Sequence, residues 1–324
     1  MSRRRWLHIA QFVLIGIILW GVWRALAPAF AELSASDFLQ WRPAAGPLLL
    51  STLLLLCFYI AHAFLWRRIL RDLGIGRPDV RTAYRIYFLA SLGRYLPGKL
   101  WQLAGLAALS REGGMAAGQA AAAAIIGQFG FLSTGLLLLA LVLPEWAGGL
   151  PALLGGGALI TAAAGIWVLV ATPLGHGARE KLRKPDGGSL GAHIDSVLQL
   201  ADGIRPRHAL RWLAGYGLSW VLLGMAFTIF CAAFVPHAAV AARPIAGALA
   251  ASYLAGLVAL VPAGVGVREA ALASLLASTA AIPVPAAVVI AITSRIWFSA
   301  GELIPVAIVP LLRRPATPPG GETT

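Results

Sequence analysis

Charge is scarce in this 324-residue chain: 12% of residues are Asp, Glu, Lys or Arg, while 59% are hydrophobic. Such a balance leaves too little polar surface to clothe a water-soluble core of ordinary proportions. Cysteine is scarcer still, with Cys57 and Cys231 both inside apolar runs. That placement predicts buried thiols and argues against a disulfide framework or redox pair. The six histidines are scattered without the spacing a zinc site requires, so no metal centre is expected. No long polar region is present either. The longest polar stretch, residues 175–211, is too short and too rich in glycine and charge to form a catalytic domain of typical size. Any chemistry therefore belongs within a bilayer.

What the chain has in abundance is apolar runs of helix-spanning length. These predict an all-α polytopic membrane protein: one transmembrane domain over residues 1–312 and a disordered Pro/Gly-rich tail over 313–324. Its net charge of +13 raises the question of nucleic acid, but the basic residues fall between apolar spans, where they set topology. No nucleic-acid partner is expected.

Six full spans are expected, at about Leu7–Trp23, Ala44–Leu65, Ala116–Leu143, Leu150–Ala171, Trp212–Val235 and Val284–Leu312. Ala29-Phe30-Ala31 resembles a signal-peptidase site, yet the long apolar region and Arg24 favour an uncleaved anchor. Pro144-Glu145-Trp146 reads as a short outer loop, and Ile194, Val197, Leu198 and Leu200 suggest a short surface helix within the 175–211 loop. Orientation follows from the basic residues. Nineteen of the 26 fall on one side if both termini are cytoplasmic, and only Arg24, Arg42 and Arg243 fall outside. The expected location is the cell membrane, as a multi-pass inner-membrane protein.

Two further segments, 80–110 and 244–281, are apolar but broken. Arg94, Tyr95, Pro97, Gly98 and Lys99 interrupt the first; Pro262, Gly264, Gly266, Arg268 and Glu269 interrupt the second. Irregular backbone at membrane depth needs protein or water around it, so each is expected to be a re-entrant helical hairpin. The topology makes them enter from opposite sides. Tyr87-Phe88-Leu89-Ala90 before Pro97 parallels Tyr253-Leu254-Ala255-Gly256 before Pro262, which reads as an inverted repeat with its broken helices meeting near the midplane.

The charges at those breaks carry the functional reading. Arg94, Lys99, Arg268 and Glu269 would together cost about 10–14 kcal/mol if bare at the bilayer centre. They must face a wet cavity, pair with one another or bind a ligand. New helices begin after Gly98 and Gly266, and their free N–H groups beside Lys99 and Arg268 would form an anion cradle. Tyr95, Gln102 and Gln128 are neutral hydrogen-bonding candidates, with interhelical contacts the competing reading. Glu269 neutralises Arg268 or another base, and Arg295 and Glu302, two turns apart, join the same network. A purely structural charge network is the alternative to ligand binding.

The segments Gly93-Arg94-Tyr95-Leu96-Pro97-Gly98-Lys99-Leu100-Trp101-Gln102 and Val261-Pro262-Ala263-Gly264-Val265-Gly266-Val267-Arg268-Glu269-Ala270 resemble the signature segments of the lysylphosphatidylglycerol synthase transmembrane family, also described as flippase-like. Nearly the whole chain is covered by the resemblance. Larger members carry a cytosolic aminoacyl-transfer domain that has no counterpart in this sequence, so lysyl transfer is not implied. Lipid translocation is. The expected ligand is a membrane lipid with an anionic or polyprenyl-phosphate headgroup. A lipid-modifying enzyme such as a glycosyltransferase, scaffolded by a non-transporting version of this protein, is the second reading of its partners, and a homo-oligomer is a further candidate assembly. No cofactor is expected. An intramembrane enzyme is least favoured, because no nucleophile, metal set or nucleotide motif accompanies Glu269 and Glu302.

Overall fold

A computed structural model describes residues 42–95, 101–147, 155, 156, 158–165, 200, 204–235, 241–258, 264 and 266–309. The described residues are all-α. In chain order the helices are α1 (Ala45–Asp72), α2 (Val80–Ser91), α3 (Trp101–Glu112), α4 (Ala117–Ala147), α5 (Pro206–Phe234), α6 (Ala242–Val258), α7 (Val267–Thr279) and α8 (Val284–Ile308), with a 3₁₀ turn over Leu92–Tyr95. Four of them, α1, α4, α5 and α8, are long and apolar enough to cross a membrane.

The boundaries follow local chemistry. Asp79 caps α2, its carboxylate accepting the Thr82 N–H at 2.6 Å, and Pro206 opens α5 at a position where a missing N–H is harmless. Helix α1 runs past the expected end at Leu65 and through the basic cluster to Asp72. The long arginine side chains there can reach polar surroundings while the backbone stays helical. Helix α4 likewise continues through the expected loop at 144–146 to Ala147. Pro144 falls in the last turn of α4, so the ladder bond it removes and the carbonyl it crowds lie at the end of the helix and not in mid-span.

The expected first span at 7–23, the signal-like site at 29–31 and the tail at 313–324 lie outside the described residues. So do most of the 150–171 span, within which 155, 156, 158–160 and 161–165 are helical, and nearly all of the 175–211 loop. One expectation fails outright. Cys57 is exposed on the outer face of α1, whereas Cys231 is buried. The outward face of α1 is apolar too, with Leu49, Leu50 and Leu53 at least half exposed, and a thiol is compatible with such a lipid-facing stripe.

Side-chain contacts set the packing directions. His62 meets Ser219, Trp212 reaches Asp72, and the Ala44 N–H bonds the Ala233 carbonyl at 2.8 Å, so α1 and α5 run antiparallel. Phe58 and His62 pack on Phe131 while Trp66 donates to the Ala120 carbonyl, which makes α4 antiparallel to α1 as well. Helix α8 runs parallel to α1: Trp297 donates to Thr52 and Tyr59 to Glu302. The core between them is aromatic, with Trp66, Trp212, Trp220, Phe227 and Phe230 almost wholly buried.

Both broken segments appear as pairs of short helices. A Cβ added to Gly105 would lie 3.3 Å from Ala90, one on Gly93 would strike the backbone of Trp101 and Gln102, and one on Gly113 would touch Ile86. These contacts make α2 and α3 antiparallel neighbours, with Gly93 close against the start of α3. In the second segment Gly256 of α6 lies against Gly264 and Arg268. Helix α2 starts beside the C-terminal end of α1, where Arg67 donates to the Pro78 carbonyl. Helix α6 starts beside the C-terminal part of α4, where Arg243 donates to the Leu141 carbonyl. Because α1 and α4 are antiparallel, the two broken segments begin at opposite ends of the bundle.

Candidate functional site

The start of α7 and the middle of α8 bring four charged groups together. Gly266 precedes α7 at φ 84°, and Gly264 has φ 65°. Both are left-handed conformations that glycine adopts without penalty. Gly264 also has no room for a side chain, since an added Cβ would lie 2.9 Å from the Gly256 Cα. Gly264 thus lies directly against α6 just before α7 begins.

Glu269, at the third position of α7, reaches back to the helix start. Its Oε2 accepts the Gly266 N–H at 2.6 Å, half of a capping box. Its Oε1 accepts from Arg295 Nη1 on α8 at 2.7 Å. The Glu269 side chain is 14% exposed and that of Arg295 36%, so the pair is partly shielded from solvent. Glu269 therefore forms its ion pair with Arg295 rather than with its neighbour Arg268, and one carboxylate both caps a helix and ties two helices together.

Arg268 is left with a different environment. Its guanidinium carbon sits 4.5 Å from the centroid of the Phe298 ring, a cation–π contact. No carboxylate pairs with it among the described residues. Phe298 is one turn before Glu302, whose Oε1 accepts from the Tyr59 hydroxyl at 3.1 Å. Glu302 thus joins the neighbourhood through Tyr59 of α1, two turns from Arg295 as expected. Gln128 Nε2 donates to the Tyr253 hydroxyl at 2.9 Å, linking α4 to α6, and the Tyr253 ring packs edge-on against Phe131 and Trp220.

The structure thus gathers Gly264, Gly266, Arg268, Glu269, Arg295 and Glu302, and it engages Gln128 with the helix that leads into the second break. In the first segment, Tyr95 and Arg94 lie in the 3₁₀ turn and Gln102 in the first turn of α3. The side chains of Arg94 and Tyr95, and all of Pro97, Gly98, Lys99 and Pro262, lie outside the described residues. No group of three or more His, Cys, Asp or Glu residues that could hold a metal occurs among the described residues.

Sequence reasoning missed Tyr59, Tyr253 and Phe298. Tyr59 carries a lone hydroxyl inside an otherwise apolar run and could have been flagged on that ground. Tyr253 stood in the paired motif, with nothing to separate a binding role from packing. Phe298 carries no signal, because aromatic residues in spans ordinarily pack. Chemically, the cluster offers one cationic group without a carboxylate partner among the described residues, a helix start, and tyrosine hydroxyls.

A family model described as "Lysylphosphatidylglycerol synthase TM region" matches residues 8–298, a stretch that contains both broken segments and both ends of the Glu269–Arg295 pair. A comparison with curated proteins finds no match.

Proposed function

The chain belongs to the lysylphosphatidylglycerol synthase transmembrane-region family, and from that premise we propose that it is a flippase-like lipid transporter whose site at α7 and α8 binds an anionic, phosphate-bearing headgroup. One observation carries the reading: Arg268 holds its guanidinium over Phe298 while the adjacent carboxylate is committed to Arg295 and the Gly266 N–H. A charge kept at such a place, with no ion-pair partner among the described residues, is destabilising unless a ligand or water compensates it. A phosphate does so and satisfies the helix start as well.

In this reading α2–α3 and α6–α7 are re-entrant hairpins of an inverted repeat, entering a cell membrane from opposite faces, with both termini cytoplasmic. Support comes from their starting points at opposite ends of the bundle and from the excess of basic residues on one side. Arg94, Tyr95, Lys99 and Gln102 of the first hairpin complete the cradle, with Pro97, Gly98 and Pro262 shaping the two tips. Access alternates as one repeat rocks against the other while the acyl tail stays in lipid. Binding and movement, not bond making, are the proposed activity.

Reconstituted proteoliposomes test it. Transfer of a headgroup-labelled anionic lipid across the bilayer should be faster than in protein-free vesicles, and Arg268→Ala should abolish the difference while the purified variant unfolds at the same temperature. Transfer at the protein-free rate with wild-type protein, together with a lipid-modifying enzyme co-purifying from the native membrane, would support the scaffold reading instead.

A further inference from the structure

A groove of about 540 Å³ lies on the outside of the bundle between α1 and α5, and none of its lining residues belongs to either broken segment. Its upper walls are apolar. Phe64 is 46% exposed and Leu218 69% exposed, with Leu222 one turn further along α5. Gly215 deepens it by letting the Leu65 side chain settle against the α5 backbone. Its lower end is basic, lined by Arg67, Arg68 and Arg71 at the end of α1.

The arginines differ in how far they are committed. Arg67 is held by the Pro78 carbonyl at 2.8 Å, and Arg68 by Asp72 at 3.1 Å. The same Asp72 oxygen also accepts from Trp212 Nε1 at 3.0 Å, so that carboxylate is already shared. Arg71 has no carboxylate partner among the described residues. Neither has Arg211, which is exposed and stands one helical turn before Gly215, on the α5 face that carries Leu218 and Leu222. Arg71 and Arg211 therefore add positive charge at the foot of an apolar trough beyond what Asp72 pairs.

We propose that this groove is a binding site for an anionic phospholipid of the surrounding membrane, distinct from the α7–α8 site. Its phosphate lies between Arg71 and Arg211 and one acyl chain lies along Phe64, Leu218 and Leu222. Charge and shape agree on this occupant. Basic pockets between membrane helices at the headgroup level select anionic headgroups, whereas a bare apolar trough would take any lipid. The bound lipid would brace α1 against α5 where Asp72 and Trp212 already tie them.

Native mass spectrometry of the full chain, released from micelles with added dioleoyl phosphatidylglycerol or dioleoyl phosphatidylcholine, tests the proposal. The Arg268→Gln monomer, in which the α7–α8 site is disabled, should still retain one phosphatidylglycerol at a collision energy that strips phosphatidylcholine. Adding Arg71→Gln/Arg211→Gln to it should lower the retained fraction at least fivefold with an unchanged unfolding temperature, which separates this site from the transport site. Glycerol 3-phosphate should fail to displace the lipid, since it lacks the chain that fills the trough. In the Arg268→Gln background, equal retention of the two lipids, retention of neither, full retention after the two further substitutions, displacement by glycerol 3-phosphate, or a lipid-free dimer with the groove closed would each overturn the proposal.

Discussion

Arg295 of α8 and Glu269 of α7 form a 2.7 Å ion pair whose carboxylate also holds the Gly266 N–H at the helix start. The pair fixes the angle at which the second break meets the last long helix. It also withdraws Glu269 from Arg268. Removing either partner strands the other at a partly shielded position. Glu269→Ala should therefore destabilise the protein by about 1–3 kcal/mol, between the values of exposed and fully buried pairs. Loss of the cap adds roughly 1 kcal/mol. In a double-mutant cycle with Arg295→Met, monitored by reversible unfolding in mixed micelles, the two losses should fall short of additivity; strict additivity would mean the pair contributes nothing.

Arg268 should be sensitive to shape as well as to charge. Lysine preserves the charge but loses the planar face that lies over Phe298 and the forked donors that match a phosphate. Arg268→Lys should thus reduce headgroup transfer about tenfold or more while Arg268→Ala reduces it to background. Phe298→Leu removes a cation–π contact worth about 0.5–2 kcal/mol and should give a smaller loss, with Arg268 still present. Rates in proteoliposomes decide; equal transfer by Arg268→Lys and wild type would show that a point charge suffices.

The tip of the second break should tolerate almost nothing at Gly264. Alanine there combines a left-handed φ of 65° with a Cβ only 2.9 Å from the Gly256 Cα. Backbone atoms cannot yield as a side-chain end can, so Gly264→Ala should cost more than about 1 kcal/mol. Gly46, where nothing lies within 4 Å of an added Cβ, is the control: Gly46→Ala should be neutral or slightly stabilising. Thermal unfolding of the purified variants compares them directly.

Much of this architecture was legible in the residues. Apolar runs located the four long helices, because membrane thickness sets their length. Pro and Gly beside charges located both breaks, since nothing else explains such residues at that depth. Arg268, Glu269, Arg295 and Glu302 were recognisable as a group for the same reason. Their pairing was not. Whether Glu269 reaches Arg295 depends on which face of α7 packs against α8, which no local pattern encodes. The helices run on past the expected span ends at Leu65 and Leu143, because a long helix carries arginines and a proline near its terminus. The outward face of Cys57 escaped notice because lipid-facing and buried positions are equally apolar.

Tyr253 lies where α4, α5 and α6 meet, and it separates two contributions that one substitution would confuse. Its hydroxyl accepts from Gln128, while its ring packs edge-on against Phe131 and Trp220. Tyr253→Phe deletes only the first and should cost about 0.5–1.5 kcal/mol. Tyr253→Leu retains bulk but loses both aromatic contacts, adding roughly 0.5–1.5 kcal/mol for each ring pair. If α6 moves against α4 during transport, the Gln128 tether favours the arrangement seen here. Tyr253→Phe should then speed amide exchange along α6 by about two- to twelvefold, the same free energy expressed as a population, while exchange in α1 stays unchanged. Uniform acceleration through all helices would instead make the tether a contributor to global stability alone.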